Sequence, residues 1–205
     1  MTVSKIIENI VSKSKQGKLF FVSDFLEYGK YDTVRKTLQR LVKKGVLIRI
    51  SKGIYYYPKI DKVLGTLYPT AEEIAKAIAK RDKAKIIPTG AYALHLLGLS
   101  TQIPMNVVYL TDGSARKIKI GNQTIIFKKT SPKNLYFESK LSSLIIQSLK
   151  SLKEDNVNEI VKQKLTDIIK QSGEANKIKK DMTNAPIWIQ KIMLEILSKL
   201  SDELA

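Results

Sequence analysis

The stretch from residue 32 to residue 57 constrains this chain most, because it combines an amphipathic helix with two short strand patterns. Apolar residues at i, i+4, i+7 and i+8 predict a helix whose inward stripe consists of Val34, Leu38, Leu41 and Val42. Asp32 is a favourable N-cap, and Gly45 is a favourable residue just past the C-terminus. The pattern therefore predicts a helix with two defined ends and one buried side.

The opposite side of this helix is basic. At about 100° per residue, the side chains that point away from the apolar stripe are Lys36, Gln39, Arg40 and Lys43. Thr33 and Thr37 lie toward its flank. The exposed side therefore presents long cationic side chains that can reach into a groove.

The residues before the helix predict a helix-turn-helix. Ser23 can cap a short helix that carries Phe25 and ends at Gly29. Only two residues separate Gly29 from Asp32, which is the short, glycine-containing turn of that motif.

The residues after the helix predict a wing. Leu47–Ile50 and Ile54–Tyr57 are rich in β-branched and aromatic residues, and Gly53 supplies a turn between them. Leu19–Val22 is a candidate first strand beside this hairpin. Together with the helices, these strands predict an N-terminal winged helix-turn-helix.

The charge of this region favours a nucleic-acid partner. The chain has a formal net charge of +17, and between residues 30 and 59 Asp32 is the one acid. The same segment has nine basic residues: Lys30, Arg35, Lys36, Arg40, Lys43, Lys44, Arg49, Lys52 and Lys59. Clustered cations of this kind are the electrostatic footprint of a duplex binder.

These observations predict a DNA-binding surface on the helix and wing. A lysine-rich helix face is often only solvated, but spacing, turn, wing and charge agree with one another here. The predicted DNA-binding residues are Tyr31, Thr33, Arg35, Lys36, Thr37, Arg40, Lys43, Lys44, Arg49, Ser51 and Lys52.

The remainder of the chain predicts a second domain of mixed structure. Pro and Gly residues between 61 and 69 indicate a linker, so the predicted organisation is a winged helix-turn-helix over 1–60 and an α+β domain over 70–205. Thr70 and Glu73 form a capping box, and a second helix is predicted from Thr89 to Gly98. Strands are predicted at 85–87, 107–111, 116–120 and 124–129, followed by three helices, the last of which begins at Pro186.

Composition argues against several other classes of protein. The chain has no cysteine and one histidine, His95, with no evident acidic partner, so neither a metal site nor a nucleophile with its base is predicted. Neighbouring carboxylates such as Glu72 and Glu73 diverge on a helix. No apolar run is long enough to span a bilayer. We therefore expect a cytoplasmic protein that is not an enzyme, has no cofactor and does not bind a membrane.

Three segments resemble a known family. They are GKLFFVSDFLEYGKYDTVRKTLQRLVKKGVLIRISKGIYYYPK at 17–59, PTGAYALHLLGLSTQIP at 88–104 and VVYLTDGSARKIKIG at 107–121. These segments are similar to the antitoxins of AbiE-type (type IV) toxin-antitoxin systems. The APIWIQ segment around Trp188 resembles them more weakly. The resemblance covers most of the chain from Gly17 to about Asn134.

The resemblance implies a transcriptional autoregulator that binds double-stranded DNA as inverted repeats in its own promoter. It also implies that the C-terminal domain counteracts a nucleotidyltransferase-like toxin, directly or indirectly. By position, the reading helix is Thr33–Lys44 and the wing is Arg49–Gly53; no toxin-facing residues are assigned. The alternative is a non-enzymatic adaptor whose winged helix binds protein, which would lack the steep salt dependence of phosphate contacts.

Overall fold

The computed structural model describes residues 2–202. Eight α-helices and nine β-strands lie within these residues. The predicted α+β class is confirmed. The chain forms two compact units that divide after Arg81, with Ile118–Asn122 grouped with the first unit. The division lies beyond the predicted linker at 61–69.

The first unit begins with α1 (Val3–Lys13). The elements that follow occur in the predicted order: β1 (Leu19–Phe21), α2 (Tyr31–Lys43), β2 (Ile48–Ser51) and β3 (Ile54–Tyr56). The three strands form an antiparallel sheet of order β1-β3-β2. One difference is that the short helix expected from Ser23 is a 3-10 turn over Val22–Phe25.

The apolar stripe of α2 is buried as predicted, because it packs into a core shared with α1 and the sheet. Val42 is half-buried at the edge of this core. The fully buried residues of the core include Ile7, Val11, Phe20, Phe25, Val34, Leu38, Leu41, Leu47 and Tyr55.

The sequence predicted the C-terminal end of α2 correctly but not its N-terminal end. Gly45 has a φ of +72° and donates its N–H to the carbonyl of Val42, while the Val46 N–H donates to that of Leu41, both at 3.0 Å. These paired bonds are a Schellman C-cap, so the predicted stop is confirmed. The predicted N-cap at Asp32 is wrong: the cap is Lys30, and Asp32 lies in the first turn.

The residues predicted as a linker contain a hairpin of two strands, β4 (Lys59–Asp61) and β5 (Gly65–Leu67). The next element, α3 (Ala71–Arg81), belongs to the first unit. Its predicted capping box is present, with the Glu73 N–H donating to Thr70 Oγ1 at 3.1 Å and the Thr70 N–H donating to Glu73 Oε2 at 2.7 Å. At the far end of α3, the Arg81 guanidinium lies 4.4 Å from the ring centroid of Phe21.

A four-stranded sheet is formed by β6 (Ile86–Thr89), β7 (Asn106–Thr111), β8 (Arg116–Ile120) and β9 (Gln123–Lys129), with the last three residues of β8 grouped with the first unit. The strand order is β6-β7-β9-β8, with β6 antiparallel and β9 parallel to β7. All four strands were predicted. Helix α4 (Ala91–Leu96) begins after Gly90, whereas the sequence predicted a start at Thr89.

Four further helices pack around one apolar core. They are α5 (Lys140–Leu152), α6 (Glu159–Ser172), α7 (Ala175–Asp181) and α8 (Ile187–Asp202), of which α7 was not predicted. Asp181, only 4% exposed, accepts the N–H groups of Glu138 and Ser139, both at 2.9 Å, and so fixes the N-terminus of α5. Within residues 2–202, no helix has the length and apolarity needed to cross a membrane.

Candidate nucleic-acid interface

Helix α2 presents its polar residues on one side, as its spacing predicted. Lys36, Arg40 and Lys43 are exposed, and together with the half-buried Gln39 they line one shallow, open depression. Because the opposite stripe is held in the core, this face cannot rotate inward without exposing Leu38 and Leu41. The fold therefore holds three cations along one helix face.

Thr37 does not lie on that surface. The sequence placed it at the flank, but its side chain is fully buried, which removes it from direct contact with a partner. Its hydroxyl accepts a hydrogen bond from the Arg40 guanidinium at 3.3 Å. Thr37 is therefore a residue that positions Arg40.

The first turn of α2 carries less free charge than predicted. Tyr31 and Thr33 are exposed as expected, with Tyr31 54% accessible. The Arg35 guanidinium, however, lies 3.5 Å from the Asp32 carboxylate, one turn away. Both groups are largely solvated, so the pair is weak and Arg35 can exchange Asp32 for another anion at little cost.

Lys44 is directed to a different element. Its ammonium lies 3.3 Å from Glu8 Oε1 on α1. No sequence signal near Lys44 indicates this pair, because Glu8 lies 36 residues earlier. The ion pair draws Lys44 toward the α1 side of the unit, so of the predicted cations of α2 it is the least available to a partner that binds this helix.

The β2–β3 hairpin, which the sequence predicts as a wing and which we call the wing by position, carries the second set of predicted residues. Arg49 is exposed on β2 opposite Tyr55, and Ser51 is half-buried after a shift of register between Arg49 and Ser51. Lys52 and Gly53 form the two-residue turn, where Gly53 takes a φ of +75° that other residues rarely adopt. The turn therefore projects Lys52 at the tip of the hairpin.

Tyr55 connects the wing with α2, a role that the sequence analysis missed. It is 1% exposed, and burial raises the pKa of its phenol above the usual value. Arg49 and Arg35 lower that pKa, and Tyr31 raises it, so these three predicted site residues lie within electrostatic range of one hydroxyl. All three residues of the IYY strand are buried, so no alternation of polar and apolar residues singles Tyr55 out.

Among the predicted site residues, the cations that are exposed and have no ion-pair partner among the described residues form what we call the basic face. It consists of Lys36, Arg40, Lys43, Arg49 and Lys52. No acidic residue occurs between residues 33 and 59 to offset them. Like charges on one surface repel each other, and an anionic partner relieves that repulsion.

No group of three or more His, Cys, Asp or Glu side chains within residues 2–202 is arranged to hold a metal ion. His95 is half-buried, and its buried Nδ1 has no hydrogen-bond partner there.

Comparison with known proteins gives one family match and matches to solved structures. Residues 5–177, most of the chain, match a protein family described as a family of unknown function (DUF6088). The crystal structure of the RV2827C protein from Mycobacterium tuberculosis is similar to this chain, with a TM-score of 0.51 and 10% sequence identity over 96% of this chain and 76% of that one. At this identity the similarity supports the fold alone. No curated protein matches the chain.

Proposed function

The chain belongs to the DUF6088 family of unknown function, and we propose that it is a transcriptional autoregulator that binds double-stranded DNA through its first unit. The observation that carries this proposal is the basic face: five exposed cations on one helix and one hairpin, with no acid between residues 33 and 59. Cations held in this way match the phosphates along a duplex.

The dimensions of α2 fit a reading helix. Its 13 residues span about 20 Å, and a major groove about 12 Å wide admits an α-helix. In this arrangement Lys36 and Arg40 face the base edges, where long basic side chains donate to the O6 and N7 acceptors of guanine. Arg49 and Lys52 on the wing lie against the sugar-phosphate backbone or the minor groove.

Salt dependence tests the proposal directly. If the basic face neutralises about 4 phosphates, the logarithm of the binding constant on promoter DNA falls with the logarithm of salt concentration at a slope near −4. Replacing Lys43 by Gln should reduce that slope by about 1, whereas Lys150→Gln, an exposed lysine on α5, should leave it unchanged. A slope near zero would refute DNA binding.

The resemblance to AbiE-type antitoxins extends the proposal to the second unit. We propose that this unit counteracts a nucleotidyltransferase-like toxin, without catalysis of its own, and that the protein acts in the cytoplasm, where its promoter lies. The separate core of the second unit supports a separate task. Co-expression with the toxin encoded next to this chain tests it: the full chain should restore growth, and a fragment ending at Arg81 should not.

A second candidate is an adaptor that uses the first unit to bind protein. It is favoured by two exposed apolar residues next to the N-terminus of α2, Leu26 at 46% and Tyr31 at 54%. The affinity of a contact through these side chains would change little with salt concentration. Measuring the salt dependence of binding to a protein partner therefore separates the two candidates.

A further inference from the structure

The hairpin of β4 and β5 exposes an unusual amount of apolar surface. Four large apolar side chains within nine residues are largely accessible: Ile60 at 64%, Val63 at 91%, Leu64 at 75% and Tyr68 at 66%. Single exposed apolar residues are ordinary, but several on one small element indicate an interaction surface. We call these four residues the hairpin patch.

Hydrogen bonds hold the hairpin in a defined conformation. Asp61 Oδ1 accepts the N–H groups of Val63 at 2.8 Å and Leu64 at 2.9 Å, which closes the turn. The Tyr56 hydroxyl donates to the carbonyl of Leu67 at 2.7 Å and ties β5 to the main sheet of the unit. These bonds hold the turn in a conformation that keeps Val63 and Leu64 in solvent.

The strand edges of the hairpin are also open. In the part of the chain that the structure describes, the backbone groups of residues 59–68 bond to other backbone groups only within the β4–β5 ladder. A two-stranded hairpin is marginal in water, and an open strand edge pairs readily with another chain. The hairpin therefore offers both main-chain groups and apolar side chains to a partner.

We propose that the hairpin patch joins two copies of this chain into a symmetric dimer. A two-fold axis beside the tip of the hairpin places Val63 and Leu64 of one copy against the same residues of the other, so the contact is self-complementary. Two hairpin patches together bury on the order of 1,000 Å², the lower limit for a specific interface. The choice of a second copy rests on the proposed function, because inverted repeats call for two protomers related by a two-fold axis.

Charge gives this dimer a distinctive salt response. Lys62 is exposed at the tip, next to Val63, so a symmetric contact brings two like charges near each other. Salt screens that repulsion and leaves the apolar contact intact. Dimerisation therefore strengthens as salt rises, opposite to the expected DNA binding.

Sedimentation of the full chain without DNA tests the proposal. We expect a concentration-dependent dimer, and the double variant Val63→Ser, Leu64→Ser should weaken it by at least about ten-fold. Ile187→Ser is the matched control, because Ile187 is 73% exposed on α8 and should leave the dimer unchanged. Thermal unfolding checks that all variants stay folded. A monomer up to about 0.1 mM at low and high salt would overturn the inference.

Cross-linking gives a second readout, because the chain contains no cysteine. Val63→Cys should form an intermolecular disulfide on mild oxidation, since residues near a two-fold axis meet their own copies. Ile187→Cys should not. Cross-linking equal at both positions would overturn the inference.

A monomer that binds promoter DNA with the expected salt slope would refute only the dimer, and a dimer that binds no DNA would refute only the proposed function.

Discussion

Replacing Arg40 by Ala separates base reading from backbone anchoring. The Arg40 guanidinium has five N–H donors, and the bond to Thr37 uses one of them, so four remain for a partner. That is enough for a bidentate contact with one guanine, which is worth about 1–3 kcal/mol. Arg40→Ala should therefore weaken binding to the cognate operator by about 5-fold to 140-fold.

The comparison variant is Lys52→Ala at the tip of the wing. Lys52 is exposed and lies where contacts to the backbone are expected, so its loss should weaken cognate and random DNA to a similar degree. Competition binding of both variants on both DNAs decides between these expectations. An Arg40→Ala loss that is equal on cognate and random DNA would refute base reading by α2.

Thr37 provides an internal check on this reasoning. Thr37→Val keeps the buried volume but removes the acceptor that orients Arg40, so it should reduce cognate affinity by less than Arg40→Ala and leave random DNA unaffected. In the double variant, Thr37→Val should cause no further loss, because its effect acts through Arg40. Thr37→Ser should restore affinity. An additive double variant would show that Thr37 acts independently of Arg40.

Three further predictions concern stability. Gly29→Ala places a Cβ 3.0 Å from a methyl of Val3 and should lower the free energy of unfolding by about 1 kcal/mol in a urea titration, with partial recovery on Val3→Ala. Asp181→Ala removes the buried carboxylate that accepts two N–H groups at the start of α5 and should cost about 2–3 kcal/mol by the same measurement. The N–H groups of Leu64 and Val63 lower the pKa of Asp61, so their stabilisation of the hairpin turn is present above the usual carboxyl pKa and lost as pH falls through the lowered one. A fall in the protection factor of the Val63 N–H on acidification, after correction for the slower intrinsic exchange at low pH and absent in Asp61→Asn, would show this.

The sequence by itself determined the elements whose signals are local. The apolar stripe of α2 follows from helical periodicity, and its end at Gly45 follows from the positive φ that glycine adopts easily. The Thr70 and Glu73 capping box is likewise complete within four residues. In each case the interacting groups lie within about one helical turn of each other, so nearby residue types are sufficient to predict the result.

The tertiary structure decided the features that depend on distant partners. Thr37 is fully buried in the folded unit, although helical spacing places it only at the flank of α2, and Lys44 is drawn aside by Glu8, 36 residues earlier. The Pro and Gly residues around position 65 predict a break in regular structure, but residues 59–67 fold as a hairpin. Tyr56 anchors that hairpin from the preceding sheet through the Leu67 carbonyl, 11 residues later. Burial and ion pairing depend on which surfaces meet in three dimensions, and residue spacing along one element does not contain that information.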